Sequence, residues 1–137
     1  MSADTYGKTN LQPGYREING SFLNDLLTRI LQGGLSRQDS ITATPGGTKA
    51  AAYALKRSLN RVSVCATANN SVLLPKAIAG SIAMVVNSGA ATLAVYGKGS
   101  DTIDGVSTAT ANTIATTKSK TYVCFTAGAW FTMAAVA

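Results

Sequence analysis

The sequence predicts an all-β domain: an antiparallel β-sandwich of jelly-roll type, preceded by an extended arm and one short helix. Three observations carry that prediction. From Leu35 onward, short runs rich in Val, Ile, Thr and Tyr are separated by Gly, Asn, Ser and Pro, the rhythm of strands and turns. Only 13% of the 137 residues are charged, about half the usual share of roughly 25%. Helical periodicity occurs in a single window near the N-terminus.

The elements follow in chain order. Residues 1–20 read as an extended arm, because Gly7, Pro13, Gly14 and Gly20 break any period and leave Tyr6, Leu11, Tyr15 and Ile18 as isolated apolar anchors. Such arms gain order from a partner. Residues 21–34 form the helical segment. Ser21 suits the N-cap and Asp25 the first turn, while Phe22, Leu23, Leu26, Leu27, Ile30 and Leu31 make a broad stripe that Gly33 and Gly34 end. That stripe either packs on the domain's own sheet or docks on a neighbouring subunit. Residues 35–137 form the sandwich, with strands expected near 38–44, 50–56, 61–67, 71–74, 81–87, 92–97, 112–116, 120–126 and 130–135.

Within these windows Ser81–Asn87 is apolar at both parities and is expected to be a central strand. Val62, Val64 and Ala66 should share one face with Cys65 on the other, and Tyr122 and Cys124 should alternate with Val123 and Phe125. Asn87-Ser-Gly-Ala-Ala91 reads as a hairpin loop, and Gly97–Thr102 and Asp104-Gly105 as further turns. Residues 77–97 and 121–137 carry no charge, so the C-terminal segment from Trp130 is expected in a core strand or a subunit contact.

Composition removes whole classes of chemistry. With no histidine, imidazole-based triads and His-ligated metals are absent. The only glutamate is Glu17, the aspartates Asp4, Asp25, Asp39, Asp101 and Asp104 are scattered, and Cys65 and Cys124 make no CxxC pair. No catalytic, cofactor-binding or metal site is expected. Gly7-Lys8-Thr9 lacks the glycine, strand and helix of a phosphate loop, and Gly97-x-Gly99 lacks the third glycine of a dinucleotide fingerprint. Two carboxylates at 101 and 104 are few for calcium and suit a turn.

The net charge is +6. It fits nucleic acid, an anionic surface, an acidic partner or simple solubility. The densest basic group, Lys56, Arg57 and Arg61, has only Tyr53 nearby, so the stacking that single-strand binding needs is missing and nucleic acid is disfavoured. The polar start from Met1 to Asn10 gives no secretory leader, and no stretch of about 20 apolar residues offers a membrane span. The chain is expected to be made in a bacterial cytoplasm with both thiols reduced.

From Val72 onward the motifs run Leu74-Pro75 to Gly80, Met84-Val-Val-Asn87-Ser-Gly89, Leu93-Ala-Val-Tyr96, Ile103-Asp-Gly105, then Phe125 and Gly128-Ala-Trp130. This order resembles a β-sandwich module of tailed-bacteriophage structural proteins, found in capsid decoration (cement) proteins and in head or tail fibres. The likeness covers about half of the chain. It implies Leu74, Val86, Leu93, Val95, Ile103, Phe125 and Trp130 as core positions and Pro75, Gly80, Asn87, Gly89 and Gly105 as turn positions. It also implies an architectural function: a homo-oligomeric (dimeric or trimeric) decoration protein on a capsid surface, bridging subunits of the major capsid protein. Contact candidates for that role are Tyr6, Leu11, Tyr15, Arg16, Phe22, Leu26, Arg29, Ile30 and Arg37. The alternative is a tail or head-fibre component that binds a host receptor or glycan, for which Tyr96 and Trp130 would have to be exposed rather than core.

Overall fold

A computed structural model describes residues 35–133 together with Gly20, Ser21, Leu23 and Asn24. The chain divides into two compact units, Met1–Leu35 and Ser36–Ala137. In the first unit Gly20, Ser21, Leu23 and Asn24 are helical and Leu35 is not, so the helix includes Gly20, which the sequence assigns to the arm. Residues 1–19 of the predicted arm, the rest of the helix, and the contact candidates Tyr6, Leu11, Tyr15, Arg16, Phe22, Leu26, Arg29 and Ile30 lie outside the described residues.

The second unit is all-β. Its strands are β1 (Arg37–Thr42), β2 (Tyr53–Ala54), β3 (Leu59–Val64), β4 (Asn70–Leu73), β5 (Ile82–Asn87), β6 (Leu93–Tyr96), β7 (Thr102–Ile103), β8 (Asn112–Ile114), β9 (Ser119–Thr126) and β10 (Ala129–Met133). They form a six-stranded sheet in the order β1-β3-β5-β9-β10-β7 and a four-stranded sheet in the order β2-β4-β6-β8. From β1 to β8 the chain alternates between the sheets. As far as β6, each strand lies beside the one two places earlier and runs in the same direction: β1, β3 and β5 are parallel neighbours, as are β2, β4 and β6.

This corrects the expected antiparallel jelly roll. The first six strands make three stacked rungs of a β-solenoid. The chain then turns back, with β8 antiparallel to β6, β9 antiparallel to β5, β10 antiparallel to β9, and β7 parallel to β10 at the far edge. A period of two in hydrophobicity identifies a strand and its buried face. It carries no information about the direction of the neighbouring strand. The segment Asn87–Ala91 is corrected for the same reason: it is a corner between sheets, not a hairpin. Nine of the ten strands fall within or beside the expected windows. The two-residue β7, set among Gly97, Gly99, Asp104 and Gly105, reads as turn in the sequence.

The inward faces meet in one core that includes Ile41, Leu55, Val62, Val72, Leu74, Ala83, Val85, Leu93, Val95, Ile103, Ile114, Tyr122, Cys124 and Trp130. Leu74, Leu93, Val95, Ile103 and Trp130 thus occupy the core, and Tyr96 is buried as well. Two expected core positions do not. On β9, Tyr122 and Cys124 face inward, so alternation turns Phe125 out, where it is 75% exposed. On β5, Ala83, Val85 and Asn87 face inward, leaving Val86 half-buried on the outer surface. β3 ends at Val64, so alternation stops there: Val64 is exposed, and Cys65 turns inward alongside Val62.

Asn87 shapes the corner after β5. Its buried side chain donates from Nδ2 to the carbonyls of Ala91 (2.8 Å) and Ile114 (3.0 Å) and accepts from the amide of Gly89 at 3.0 Å. Gly89 lies flat against the end of β3, where a Cβ would run into the backbone of Cys65. Gly89→Ala is therefore expected to lower stability by about 2 kcal/mol, read as an earlier urea midpoint, whereas the exposed neighbour Ser88→Ala should move it by no more than about 0.5 kcal/mol.

A second tie joins the sheets through Asn112 of β8, whose Oδ1 accepts from the Tyr122 hydroxyl and from Lys120 Nζ, both at 3.0 Å. Burial, reinforced by the nearby Asp104 carboxylate, pushes the Tyr122 phenol well above its ordinary value near 10. The neutral phenol is thus favoured in the folded state. Stability from this group is complete below about pH 10 and falls above it, by about 1.4 kcal/mol per pH unit, as only the unfolded chain ionises. Denaturant titrations between pH 9 and pH 11 should show this slope, and Tyr122→Phe should remove it.

Candidate docking surface

The outer face of the six-stranded sheet is built by the residues that alternate with the core. On β5 these are Ile82, Met84 and Val86, on β9 Ser119, Thr121, Val123 and Phe125, and on β10 Phe131 and Met133. The registers set them in rows: Phe131 beside Val123 beside Ile82, and Met133 beside Thr121 beside Met84 beside Leu59. Ile82 is 45%, Phe131 42% and Met133 61% exposed. The Phe125 and Phe131 rings lie 6.4 Å apart, tilted at 53°, a favourable aromatic arrangement left in solvent.

None of these positions is charged. The described β unit holds nine Lys and Arg and three Asp, which is the whole +6 of the chain, so its cations must lie elsewhere. Cations stand toward the β1 edge of this sheet, where Arg37, Gln38, Asp39, Leu59, Arg61, Met84 and Val86 line a shallow cleft of about 230 Å³. Arg61 grips Asp39 with two bonds of 2.7 Å, and the guanidinium holds that carboxyl below its ordinary value. Soluble monomers seldom leave contiguous apolar surface of this kind uncovered.

Of the sequence-predicted contact residues, Arg37 alone is described. It is exposed on β1, at the rim of this surface. Lys56 and Arg57 are exposed on the connection before β3, while Arg61 is already engaged by Asp39. Asp101 and Asp104 face donors of their own chain. Asp101 accepts from Lys76 Nζ at 2.6 Å and from the Ala77 amide at 2.7 Å, and Asp104 from the Thr132 amide and hydroxyl at 2.7 and 2.8 Å. Cys65 and Cys124 are buried and unpaired, and burial raises the Cys65 thiol above its ordinary value.

Sequence reasoning missed the apolar face, although its signal was visible. Apolar residues at both parities of β5 predict a central strand, and β5 does stand inside the sheet between β3 and β9. The same pattern also describes a strand whose second side is kept for a partner. Among the described residues no group of three or more Cys, Asp or Glu is placed to hold a metal, and no helix is long and apolar enough to cross a membrane. No protein-family model, curated protein or solved structure matches the chain.

Proposed function

We propose that this chain is a structural protein of a tailed-bacteriophage particle, a capsid decoration or cement subunit that strengthens a shell by bridging subunits of the major capsid protein. The observation that carries the reading is the uncharged, apolar outer surface of β5, β9 and β10 in the six-stranded sheet, on an otherwise cationic β unit. Adhesion by such a face needs no reacting groups. Each Å² of apolar surface removed from water contributes about 25 cal/mol, and repetition over many copies turns a modest contact into a large stabilisation of the shell. The motif order from Leu74 to Trp130 supports the virion setting, and the chemistry missing from the composition suits an architectural role.

A fibre component that binds a host receptor or glycan is the second reading. The exposed Phe125–Phe131 pair favours it, since aromatic faces are the usual platform for sugars. Quantitative mass spectrometry of gradient-purified particles separates the two. A count near that of the major shell protein is the expected result. A handful of copies per particle moves the chain to a tail or fibre, and its absence from particles overturns the virion assignment.

A further inference from the structure

We propose that two copies of this chain pack face to face through the outer surface of the six-stranded sheet, with Ile82, Met84, Val123, Phe125, Phe131 and Met133 at the buried centre. The inference rests on reading that surface as a docking face and names its occupant as a second copy of the chain.

Three features of the surface select a second copy. The first is charge. Two units that each carry +6 repel one another wherever their lysines and arginines meet, and the outer positions of β5, β9 and β10 are the broad region of the described surface where none stands. Like-charged copies meet there without placing cation against cation.

The second is shape. Strands twist with a fixed hand, so the surface best matched to a twisted sheet is another sheet of equal twist, laid at about −30° and about 10 Å away. A second copy supplies that partner by construction, and a shared two-fold axis makes one patch serve both sides.

The third is size. Three strands, β5, β9 and β10, span about 14 Å at about 4.8 Å each, and strands of this length run about 20 Å, so the uncharged face covers on the order of 300 Å² in plan. Side chains that stand clear of it, Phe125 and Met133 above all, add accessible area, and the charged positions of β3 and β1 beside it supply a polar rim, which together bring the contact toward the roughly 800 Å² per partner of a standard interface. At the rim, the Arg61–Asp39 pair neutralises one cation, leaving Arg37 to hydrate at the periphery.

The test is sedimentation velocity on the purified full chain from about 1 to about 100 µM, at low and at high sodium chloride. The expected result is a species of twice the 14.0 kDa chain mass that tightens as salt screens the like charges. Ile82→Asp and Phe131→Asp place a carboxylate at the centre of the contact and should weaken dimerisation at least about 100-fold. Thr113→Asp, exposed on β8 in the other sheet, should leave it unchanged. Far-UV circular dichroism and the emission of the single buried Trp130 confirm that each variant is folded. Phe125→Ser, at a site already 75% exposed, gives a milder variant that folding cannot confound. A wild-type monomer across the whole range overturns the proposal, as does a dimer indifferent to all three face variants or a closed assembly larger than two. A monomer whose Ile82→Asp variant is also lost from particles assigns the face to a different protein: the second-copy inference fails and the docking surface stands. A monomer whose variant still loads onto particles removes both.

Discussion

Asp101→Ala is expected to lower stability by about 3 kcal/mol, a large share of the roughly 5–15 kcal/mol that holds a domain together. Asp101 is fully buried, and its carboxylate bonds one of three connections that backbone hydrogen bonds bring together around it. Through the Ala77 amide and Lys76 Nζ it holds the segment between β4 and β5. Its own loop closes on the carbonyl of Lys98 at 2.9 Å, and the turn between β9 and β10 is tied in by the Gly128 amide, which donates to the Ala77 carbonyl at 3.0 Å. Alanine leaves the Ala77 amide buried without an acceptor, a cost of about 1–3 kcal/mol, and also removes the charge-assisted bond to Lys76. That bond is discounted because the lysine side chain is half exposed and can return to water. Lys76→Met instead strands a buried carboxylate with a single amide donor. The Lys76→Met/Asp101→Asn double variant should therefore lie closer to wild type than the losses of the Lys76→Met and Asp101→Asn single variants added together. Equilibrium urea unfolding of the four proteins measures this. Additive losses would show that the two groups act separately.

Trp130→Ala should cost more, about 4 kcal/mol, the usual range for emptying a large aromatic from a packed core. Trp130 is 1% exposed and stands opposite Ile103 in the β10–β7 ladder. Its carbonyl accepts from the Asp104 amide at 2.8 Å, so the cavity opens where β7 joins the sheet. The indole Nε1 has no acceptor. Trp130→Phe removes that orphaned donor along with part of the volume and is expected to cost only about 1–2 kcal/mol. Unfolding followed by far-UV circular dichroism reads both variants, since the fluorescent reporter is itself replaced. Equal losses would mean that the indole nitrogen has water or another partner in solution.

The sequence disclosed strands better than it disclosed their arrangement. Tyr122 and Cys124 announce the buried face of β9 because their alternation with Val123 is a local property, and Gly80 and Gly105 announce turns that their positive φ confirms. Whether β3 runs parallel or antiparallel to β5 is settled by the path of the intervening chain. That path depends on corners such as Asn87–Ala91, which read locally as hairpins. The docking surface was hidden by a related ambiguity. Ile82 and Met84 have the same composition whether a second layer of this chain covers them or a partner does, and only the count of layers in the fold distinguishes the two. Phe125 was misplaced because large aromatics are far more often inside than out, while its parity with Val123 already pointed outward.

The order of strands in the larger sheet has a consequence for synthesis. β9 stands between β5 and β10, and β7 finds its sheet partner in β10, so the middle of the sheet is filled by residues made after β5, β6, β7 and β8 are already in place along the chain. Until they emerge, the three rungs end in the open flank of β5, with its apolar residues and unpaired amides facing solvent. The larger sheet is therefore not closed until β9 and β10 have been made, and a copy cut short before Ser119 carries a sticky edge instead of a finished one.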